Sequence, residues 1–375
     1  MKVGILTLPL WNNYGGILQA YALTLSINRL GHTAIFLDVK HDELKNSQLF
    51  MQNLRRWLKI RILKKDGPYY PNQPELNFIS NKTRKFVELN IQPSSGWMQL
   101  SKLPKFSDQL DAVVVGSDQV WRPEYCPNIE FYFLEFTSDK VKKISYAASL
   151  GTDDWRFNEQ NTALAKNLLQ KFNFVSVREK SAVHLIHENL QINAVQCCDP
   201  TLLLSTDDYL KVAGILSMPS GGQGIFCYVL DPEEPRMQGL ENIGTTLGCP
   251  LFYNMPKKFD SHFDKDPESY IFPQVEYWIE CFQKSDFVIT DSFHGCVFSI
   301  IFNKPFVAIA NSDRGSTRFE SLLETYGLND RLFNNISDIN MEVFQKKINW
   351  DHINDIKVQQ KKYGSEFLKN ALNEA

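Results

Sequence analysis

Short apolar runs alternate with amphipathic stretches along the first half of the chain. The apolar runs are rich in β-branched residues, which is typical of buried strands, and they lie at residues 1–8, 33–39, 111–115, 143–148, 174–177 and 194–197. Between them, apolar residues recur at helical spacing at residues 17–30, 161–171 and 181–188. Because strands and helices alternate, the pattern predicts a mostly parallel sheet.

The same alternation begins again near residue 224. Strands are predicted at residues 225–230, 251–253, 286–290 and 306–310, and helices at residues 236–247, 275–284 and 296–302. The tail at residues 358–372 is amphipathic. We therefore predict an α/β protein of two Rossmann-like domains that face each other across a cleft, the GT-B plan. Its predicted parts are an N-terminal acceptor-side domain at 1–204, a C-terminal donor-side domain at 205–350, and a C-terminal helix at 351–375 that packs back on the first domain.

Residues 41–110 interrupt the alternation. They contain a basic helical stretch at 54–65 and a second predicted helix at 77–89, which we interpret as an insertion over the first domain's cleft. The basic stretch could attract an anionic or lipid-linked substrate, or it could be a solvated helix face.

Composition narrows the class of protein. A chain of 375 residues is too long for one ordinary core, and its net charge of −3 gives no field that would attract nucleic acid. The start lacks the features of a signal peptide, and no apolar run is long enough to span a bilayer, so we expect at most peripheral membrane contact. Seven cysteines without a CxxC pair favour reduced thiols in a cytoplasm and predict no zinc site.

The stretch at 285–309 combines a buried strand, a polar turn and an apolar helix. Ser292, His294 and Gly295 follow the strand, where the free N–H groups of a helix N-terminus form a ready anion site. In open α/β sheets, ligands bind beyond the carboxyl ends of strands. The alternative is that Asp291 or Ser292 only caps the helix and that His294 is a buried, hydrogen-bonded histidine.

Seven short motifs occur in this order along most of the chain: NYGGILQAYAL near the start, GSDQVW at 116–121, ISYAASLG at 144–151, SVREKSA at 176–182, CDPTLLL at 198–204, TDSFHG at 290–295 and RGSTRFESLL at 314–323. On these motifs the sequence resembles the polysaccharide pyruvyl transferase family. The resemblance implies a GT-B fold and the transfer of the enolpyruvyl group of phosphoenolpyruvate onto two sugar hydroxyls, which gives a cyclic ketal and releases phosphate.

One position departs from the family pattern. Many members have an Arg two residues before the motif His, and here that position is Ser292. Either another residue supplies the cation, or the donor differs.

Phosphoenolpyruvate carries a phosphate and a carboxylate, so its site needs several cations and N–H donors. The predicted cations are Arg178, Arg314 and Arg318, and Ser316 lies between the last two. Arg178 could instead pair with Glu179, and Ser316 could be only an N-cap.

Ketal formation also needs a proton donor and a base. His294 is the predicted general acid, because a histidine titrates near neutral pH. Asp118 is the predicted base or acceptor of a sugar hydroxyl, although it could instead cap the next turn. Further predicted substrate-binding residues lie in the first domain: Asn13, Tyr14, Gly15, Gly16, Ser117, Gln119 and Trp121. The glycine pair would admit a ligand close to the backbone, and Trp121 would stack on a sugar or lie in the core.

We therefore predict a cytoplasmic transferase that moves the pyruvyl group of phosphoenolpyruvate onto a nucleotide- or lipid-linked precursor of a surface polysaccharide, with no cofactor. Two alternatives remain at this level. One is a nucleotide-sugar glycosyltransferase of the same fold, and the other is a non-catalytic glycan-binding homologue.

Overall fold

A computed structural model of the protein describes residues 1–40, 70–126, 128–215, 222–310 and 316–374. The basic stretch at 54–65 and Arg314 lie outside the described residues.

The first domain contains a parallel sheet in the strand order β2-β1-β5-β6-β7-β8. Its strands are short and mostly buried, as the continuous apolar runs predict. They are β1 (Lys2–Leu6), β2 (Thr33–Phe36), β5 (Ala112–Val115), β6 (Lys142–Ala148), β7 (Phe174–Val177) and β8 (Val195–Gln196). A separate parallel pair is formed by β3 (Val39–Lys40) and β4 (Met98–Gln99).

Helices connect these strands. They are α1 (Tyr14–Arg29), α2 (Gln73–Ile79), α3 (Asn81–Asn90), α4 (Leu103–Ser107), α5 (Ile129–Tyr132), α6 (Glu159–Leu169) and α7 (Lys180–Leu190). The sheet order reverses direction between β1 and β5, because β2 lies on the outer side of β1 and later strands add beyond β5. This reversal is a topological switch point.

The second domain contains a parallel sheet in the order β10-β9-β11-β12-β13. Its strands are β9 (Ile225–Tyr228), β10 (Leu251–Phe252), β11 (Phe287–Thr290), β12 (Phe306–Ile309) and β13 (Leu332–Phe333). Its helices are α8 (Thr206–Val212), α9 (Glu234–Leu247), α10 (Val275–Lys284), α11 (Phe293–Ile301) and α12 (Thr317–Tyr326). Here the switch point lies between β9 and β11.

A long last helix, α13 (Trp350–Asn373), returns to the first domain. Leu368, Ala371 and Leu372 near its end lie in one buried cluster with Val3 and Ile5 of β1. The predicted two-domain plan with a returning helix is therefore confirmed, whereas the predicted division near residue 204 stays a prediction. Among the helices described, none combines the length and the apolar character needed to cross a bilayer.

Two helices begin earlier than the apolar pattern predicts. The Asn13 side chain caps α1, so that Gly15 and Gly16 lie in its first turn rather than in a preceding loop. The Ser292 side chain caps α11, so that His294 lies within the helix. Both caps are short polar residues that accept a hydrogen bond from a first-turn N–H group.

The two domains share a hydrophobic core. The Tyr14 ring of α1 stacks on Trp278 of α10 with centroids 5.5 Å apart, and the Tyr14 hydroxyl donates to the carbonyl of Pro273 at 2.9 Å. Because both rings are fully buried, this contact holds the domains together without an aqueous gap.

Candidate functional site

A cavity of 210 Å³ lies between the domains. The first domain contributes residues that follow β1 and β5, and the second contributes residues that follow β9 and β11, so the cavity occupies the switch point of both sheets. Its lining residues are Leu8, Asn13, Asp118, Gln119, Tyr125, Leu230, Asp291, Ser292, Phe293, His294 and Arg318.

His294 lines this cavity from the first turn of α11, and it is 6% exposed. Its Nε2 atom lies 3.5 Å from Oδ2 of Asp199, a fully buried carboxylate of the first domain. A carboxylate beside an imidazole orients the ring and stabilises its protonated form. The pair therefore depends on the contact between the two domains.

Asp199 is held by a network of first-domain groups. Oδ2 accepts a hydrogen bond from Nη1 of Arg178 at 3.0 Å and lies 3.4 Å from the Ser117 hydroxyl. Oδ1 accepts hydrogen bonds from the hydroxyl and the N–H of Thr201 at 2.7 and 3.0 Å. Burial alone would raise the pKa of Asp199, but the charges of His294 and Arg178 and the Thr201 hydroxyl hold that pKa well below its ordinary value. Asp199 is therefore a fixed anion beneath the histidine.

Gly15 packs directly against the other side of the His294 ring. A Cβ atom at position 15 would lie 2.0 Å from Nδ1 and 2.7 Å from Cε1 of His294, which is far inside van der Waals contact. The glycine is thus required by close approach across the domain boundary, and the ring sits between Gly15 and Asp199.

Asp118 lines the same cavity as His294, but it belongs to the first domain. It has a positive φ of 66°, and its Oδ1 accepts the N–H of Gln119 at 2.8 Å. Its Oδ2 accepts a hydrogen bond from Nδ2 of Asn13 at 3.3 Å, and Gly16 lies against both side chains. The predicted turn-capping role and the predicted position at the site are both present in this geometry.

Gln119 is fixed by its neighbours. Its Oε1 accepts a hydrogen bond from Arg122 at 2.9 Å, and Arg122 lies under the ring of Tyr125, with its guanidinium carbon 4.5 Å from the ring centroid. Gly151 is required here, because a Cβ atom at that position would lie 2.1 Å from the Gln119 Oε1.

The predicted anion site at the start of α11 is partly used by the protein itself. The Gly295 N–H donates to the Ser292 hydroxyl at 3.4 Å, so the predicted capping role of Ser292 is present. Gly295 also packs on Thr290, where a Cβ atom would lie 2.1 Å from the threonine Oγ1. Gly295 is therefore a packing residue in this structure rather than a free donor to a ligand.

Asp291 connects β11 to the loop after β9. It accepts hydrogen bonds from the N–H groups of Leu230 and Asp231 and from Nη1 of Arg236, at 2.7, 3.1 and 2.7 Å. Burial raises the pKa of Asp291, which these donors oppose only in part. Asp291 thus shapes the second-domain wall of the cavity.

Arg178 and Arg318 both lie beside the ring of Phe293 but differ in their other contacts. Their guanidinium carbons lie 4.3 and 5.8 Å from the Phe293 ring centroid. Arg318 lines the cavity, and burial followed by the charge of Arg178 lowers the pKa of Arg318 to about 10. Arg178 does not line this cavity, and two of its nitrogens donate to Glu179, at 3.1 Å, and to Asp199. Its predicted contact with substrate stays a prediction.

Three further first-domain residues that were predicted to bind substrate are buried in this structure. Trp121 is fully buried, stacks on Phe133 and donates its indole N–H to the carbonyl of Tyr132, so it is a core residue and not a sugar platform. Tyr14 is buried in the domain interface, as described above. The Ser117 hydroxyl is also fully buried and lies against Ala147 and Asp199.

Ser316 is half-buried at the start of α12, and in the described part of the chain its side chain does not cap that helix. It does not line the cavity. Its predicted contact with substrate stays a prediction.

Sequence reasoning missed Asp199 and Phe293 as site residues. Asp199 lies three residues beyond the short strand β8, and an acidic residue near the carboxyl end of a strand was the available signal. Phe293 carried no such signal, because its place in the site depends on contacts between its ring and Arg178 and Arg318, which are distant in sequence. The described residues contain no cluster of three or more His, Cys, Asp and Glu side chains that could hold a metal ion.

Comparison with known proteins agrees with this architecture. A family model described as polysaccharide pyruvyl transferase matches residues 13–313. A search of curated protein sequences found no match.

Three similar solved structures share the fold at low identity. A UDP-GlcNAc 2-epimerase from Neisseria meningitidis bound to UDP-GlcNAc has a TM-score of 0.50 and 13% identity, and the match covers all of both chains. A putative UDP-N-acetylglucosamine 2-epimerase from Listeria monocytogenes has a TM-score of 0.52 and 11% identity over 100% of this chain and 97% of that one. The MnaA–UDP structure from S. aureus has a TM-score of 0.52 and 13% identity over 92% and 86%.

Proposed function

The chain belongs to the polysaccharide pyruvyl transferase family, and from that premise we propose that it transfers the enolpyruvyl group of phosphoenolpyruvate onto two hydroxyls of a sugar in a polysaccharide precursor. The observation that carries the proposal is that His294 of the second domain and Asp118 of the first line one cavity. A proton donor and a proton acceptor thereby meet from opposite sides of the cleft.

In the proposed reaction, His294 in its protonated form gives a proton to the methylene carbon of phosphoenolpyruvate. The resulting oxocarbenium ion is attacked by one sugar hydroxyl, whose proton passes to Asp118. The second hydroxyl then forms the other C–O bond of the ketal as the C–O bond to phosphate breaks. Its proton returns to His294, and the proton held by Asp118 leaves with the phosphate as hydrogen phosphate. Asp199 supports the first step, because its buried negative charge stabilises the imidazolium before transfer.

Binding of the donor needs positive charge. Arg318 is the arginine that lines the cavity, and it faces the site from the domain that also carries His294. We propose that Arg318 pairs with the phosphate or the carboxylate of the donor. It would thereby supply the positive charge that many family members carry on an Arg at the position of Ser292. Arg314, in the same motif, stays a proposed second cation.

A purified-protein assay tests the reaction. Phosphoenolpyruvate and a sugar acceptor are supplied, released phosphate is measured, and the product is identified as a ketal by mass and by its NMR methyl signal. His294→Ala is expected to lower the rate by about 10²–10⁴-fold, the typical range for a general acid. Unchanged pyruvylation by His294→Ala, in the assay or on cellular glycan, would remove the catalytic proposal.

A second candidate is a transferase or epimerase that uses a nucleotide sugar. It is favoured by the fold shared with the UDP-GlcNAc 2-epimerases, one of them bound to UDP-GlcNAc. Incubation with UDP-GlcNAc separates the two proposals, because release of UDP or appearance of an epimer without phosphate from phosphoenolpyruvate would favour the second. A protein that binds glycan and turns over neither donor would be a non-catalytic homologue.

The remaining context is also proposed. We infer a cytoplasmic enzyme that needs no cofactor and has at most peripheral contact with a membrane. The acceptor is a nucleotide- or lipid-linked sugar, and nucleic acid is not a partner, because the net charge is −3.

A further inference from the structure

Trp11 and Trp97 form an aromatic pair on the first domain. Their ring centroids lie 5.0 Å apart and their planes meet at 61°, an edge-to-face arrangement. Trp97 is 44% exposed, and Trp11 is half-buried. Tryptophan is enriched at binding surfaces, because its ring offers a large apolar face while its N–H can reach a polar partner.

The indole pair is held in place by a fixed guanidinium. The guanidinium carbon of Arg84 lies 5.7 Å from the Trp11 centroid and 5.5 Å from the Trp97 centroid. Nη2 of Arg84 pairs with Asp38 at 2.6 Å, and its Nη1 donates to the carbonyl of Leu10 at 3.1 Å. A pre-positioned aromatic surface loses little conformational entropy when a ligand binds.

The pair is close to the cavity described above. Trp11 lies in the loop after β1, between Leu8 and Asn13, and both of these residues line the cavity. Two Cα–Cα steps of about 3.8 Å place the Trp11 Cα within about 7.6 Å of the Asn13 Cα. Trp97 precedes β4, whose Met98 N–H donates to the carbonyl of Asp38, just beyond β2. Because β2 pairs with β1, both tryptophans lie at the same sheet edge as the cavity.

The size of the cavity implies that an extended acceptor would reach this surface. Its 210 Å³ is below the roughly 300–1,000 Å³ typical of pockets that enclose a drug-sized ligand. A cavity of this size does not enclose a donor together with an oligosaccharide, so further sugar units would lie outside it. Trp11 is two residues along the chain from Asn13 of the lining.

We propose that Trp11 and Trp97 form an acceptor subsite that stacks on the apolar C–H face of the sugar unit next to the one being modified. The site would therefore prefer an oligosaccharide acceptor of at least two units to a free monosaccharide. This inference rests on the proposed function for the position of the reacting sugar. The chemistry of the subsite itself, an indole against a pyranose face, is independent of the donor.

Binding without donor tests the subsite by itself. The purified full-length protein is applied to an array of mono-, di- and trisaccharides in the absence of phosphoenolpyruvate, and the affinity for the best ligand is then measured by calorimetry. We expect di- or trisaccharides to bind more tightly than their component monosaccharides, and Trp97→Ala to weaken that binding about tenfold. Trp97→Tyr is expected to restore most of it. The matched control is Tyr363→Ala, because Tyr363 is 48% exposed on α13.

Kinetics with the same ligands separate this proposal from the proposed function. For an oligosaccharide acceptor, Trp97→Ala should raise KM about tenfold and leave kcat unchanged, while monosaccharide turnover stays as in the wild type. The subsite is wrong if no oligosaccharide binds more tightly than its monosaccharide, or if Trp97→Ala and Tyr363→Ala behave alike. If Trp97-dependent binding is present and no phosphate is released, the proposed function fails and the subsite stands.

Discussion

Asp199 of the first domain lies 3.5 Å from the Nε2 atom of His294 of the second. The opposite side of the same ring packs on Gly15, which belongs to the first domain as well. The first domain therefore positions the histidine that the second domain supplies, and any movement that separates the domains would release it from both contacts.

Replacement of Asp199 by Asn should lower the rate of phosphate release by 10²-fold or more, because an amide does not stabilise a positive imidazole. Initial rates of phosphate release measure the effect. Asp208→Asn is the control, since Asp208 is a carboxylate paired with Arg29 away from the cavity. Equal rates for the Asp199 variant and the wild type would contradict the positioning role.

Gly15→Ala should displace His294, because the added Cβ would lie 2.0 Å from Nδ1. We expect a loss of activity comparable to that of His294→Ala and a lower melting temperature. In a His294→Ala background the clash is absent, so Gly15→Ala should then have little further effect on stability. Thermal unfolding of the four proteins forms a double-mutant cycle. Additive destabilisation in that cycle would show that Gly15 acts through something other than the histidine.

Arg318→Ala should raise KM for phosphoenolpyruvate. A hydrogen bond to a charged group contributes about 1.5–3 kcal/mol, which corresponds to roughly 10- to 150-fold. Arg318→Lys should recover only part of the loss, because lysine lacks the planar fork of donors. Steady-state kinetics with varied phosphoenolpyruvate provide the measurement, with Arg29→Ala as the surface control. A normal KM in Arg318→Ala would place the donor elsewhere.

Tyr14→Phe should destabilise the protein by about 1 kcal/mol, since the carbonyl of Pro273 loses its hydrogen bond across the domains. Chemical denaturation measures the change. Tyr363→Phe, on the exposed face of α13, should leave the midpoint unaltered. A midpoint for Tyr14→Phe equal to that of the wild type would show that water replaces the lost donor.

Lys357 should make stability rise with pH between about 8 and 10.5. Its ammonium donates to the carbonyl of Ile300 at 3.0 Å and to the side chain of Asn303 at 3.0 Å, at the end of α11. Burial lowers the pKa of Lys357 from 10.5 to about 8. Above pH 8 the folded protein has lost this proton while the unfolded chain still binds it, so unfolding takes up a proton and stability increases with pH.

The measurement for Lys357 is the free energy of unfolding of the wild type minus that of Lys357→Met, from pH 7 to 11. This difference should increase through the window and become constant above it. A difference that does not change with pH would mean that Lys357 keeps an ordinary pKa in the folded protein.

Much of the fold was accessible from local pattern. Continuous apolar runs predicted the buried parallel strands, and the strand β7 and the helix α10 were predicted at their observed bounds. The cavity also lies where the pattern indicates, because ligands collect where parallel strands end and the sheet order reverses. His294 and Asp118 were predictable for that reason.

Local pattern failed where exposure decides the role of a residue. Arg178, Tyr14 and Trp121 all belong to motifs that lead toward the site, yet one pairs with buried carboxylates and the other two are core residues. Local pattern assigned no role to Trp11, which pairs with Trp97 and lies two residues along the chain from Asn13 of the cavity lining.

The sequence alone determined the alternation of strands and helices, the two-domain plan and the polar strand ends, because each depends on residues that are close along the chain. Only the tertiary structure decided that Asp199 lies against His294, that Gly15 must lack a side chain, and that Arg318 rather than Arg178 faces the cavity. Those relationships join residues about 20 to 280 positions apart, and they arise from how two separately formed sheets pack, which periodicity does not encode.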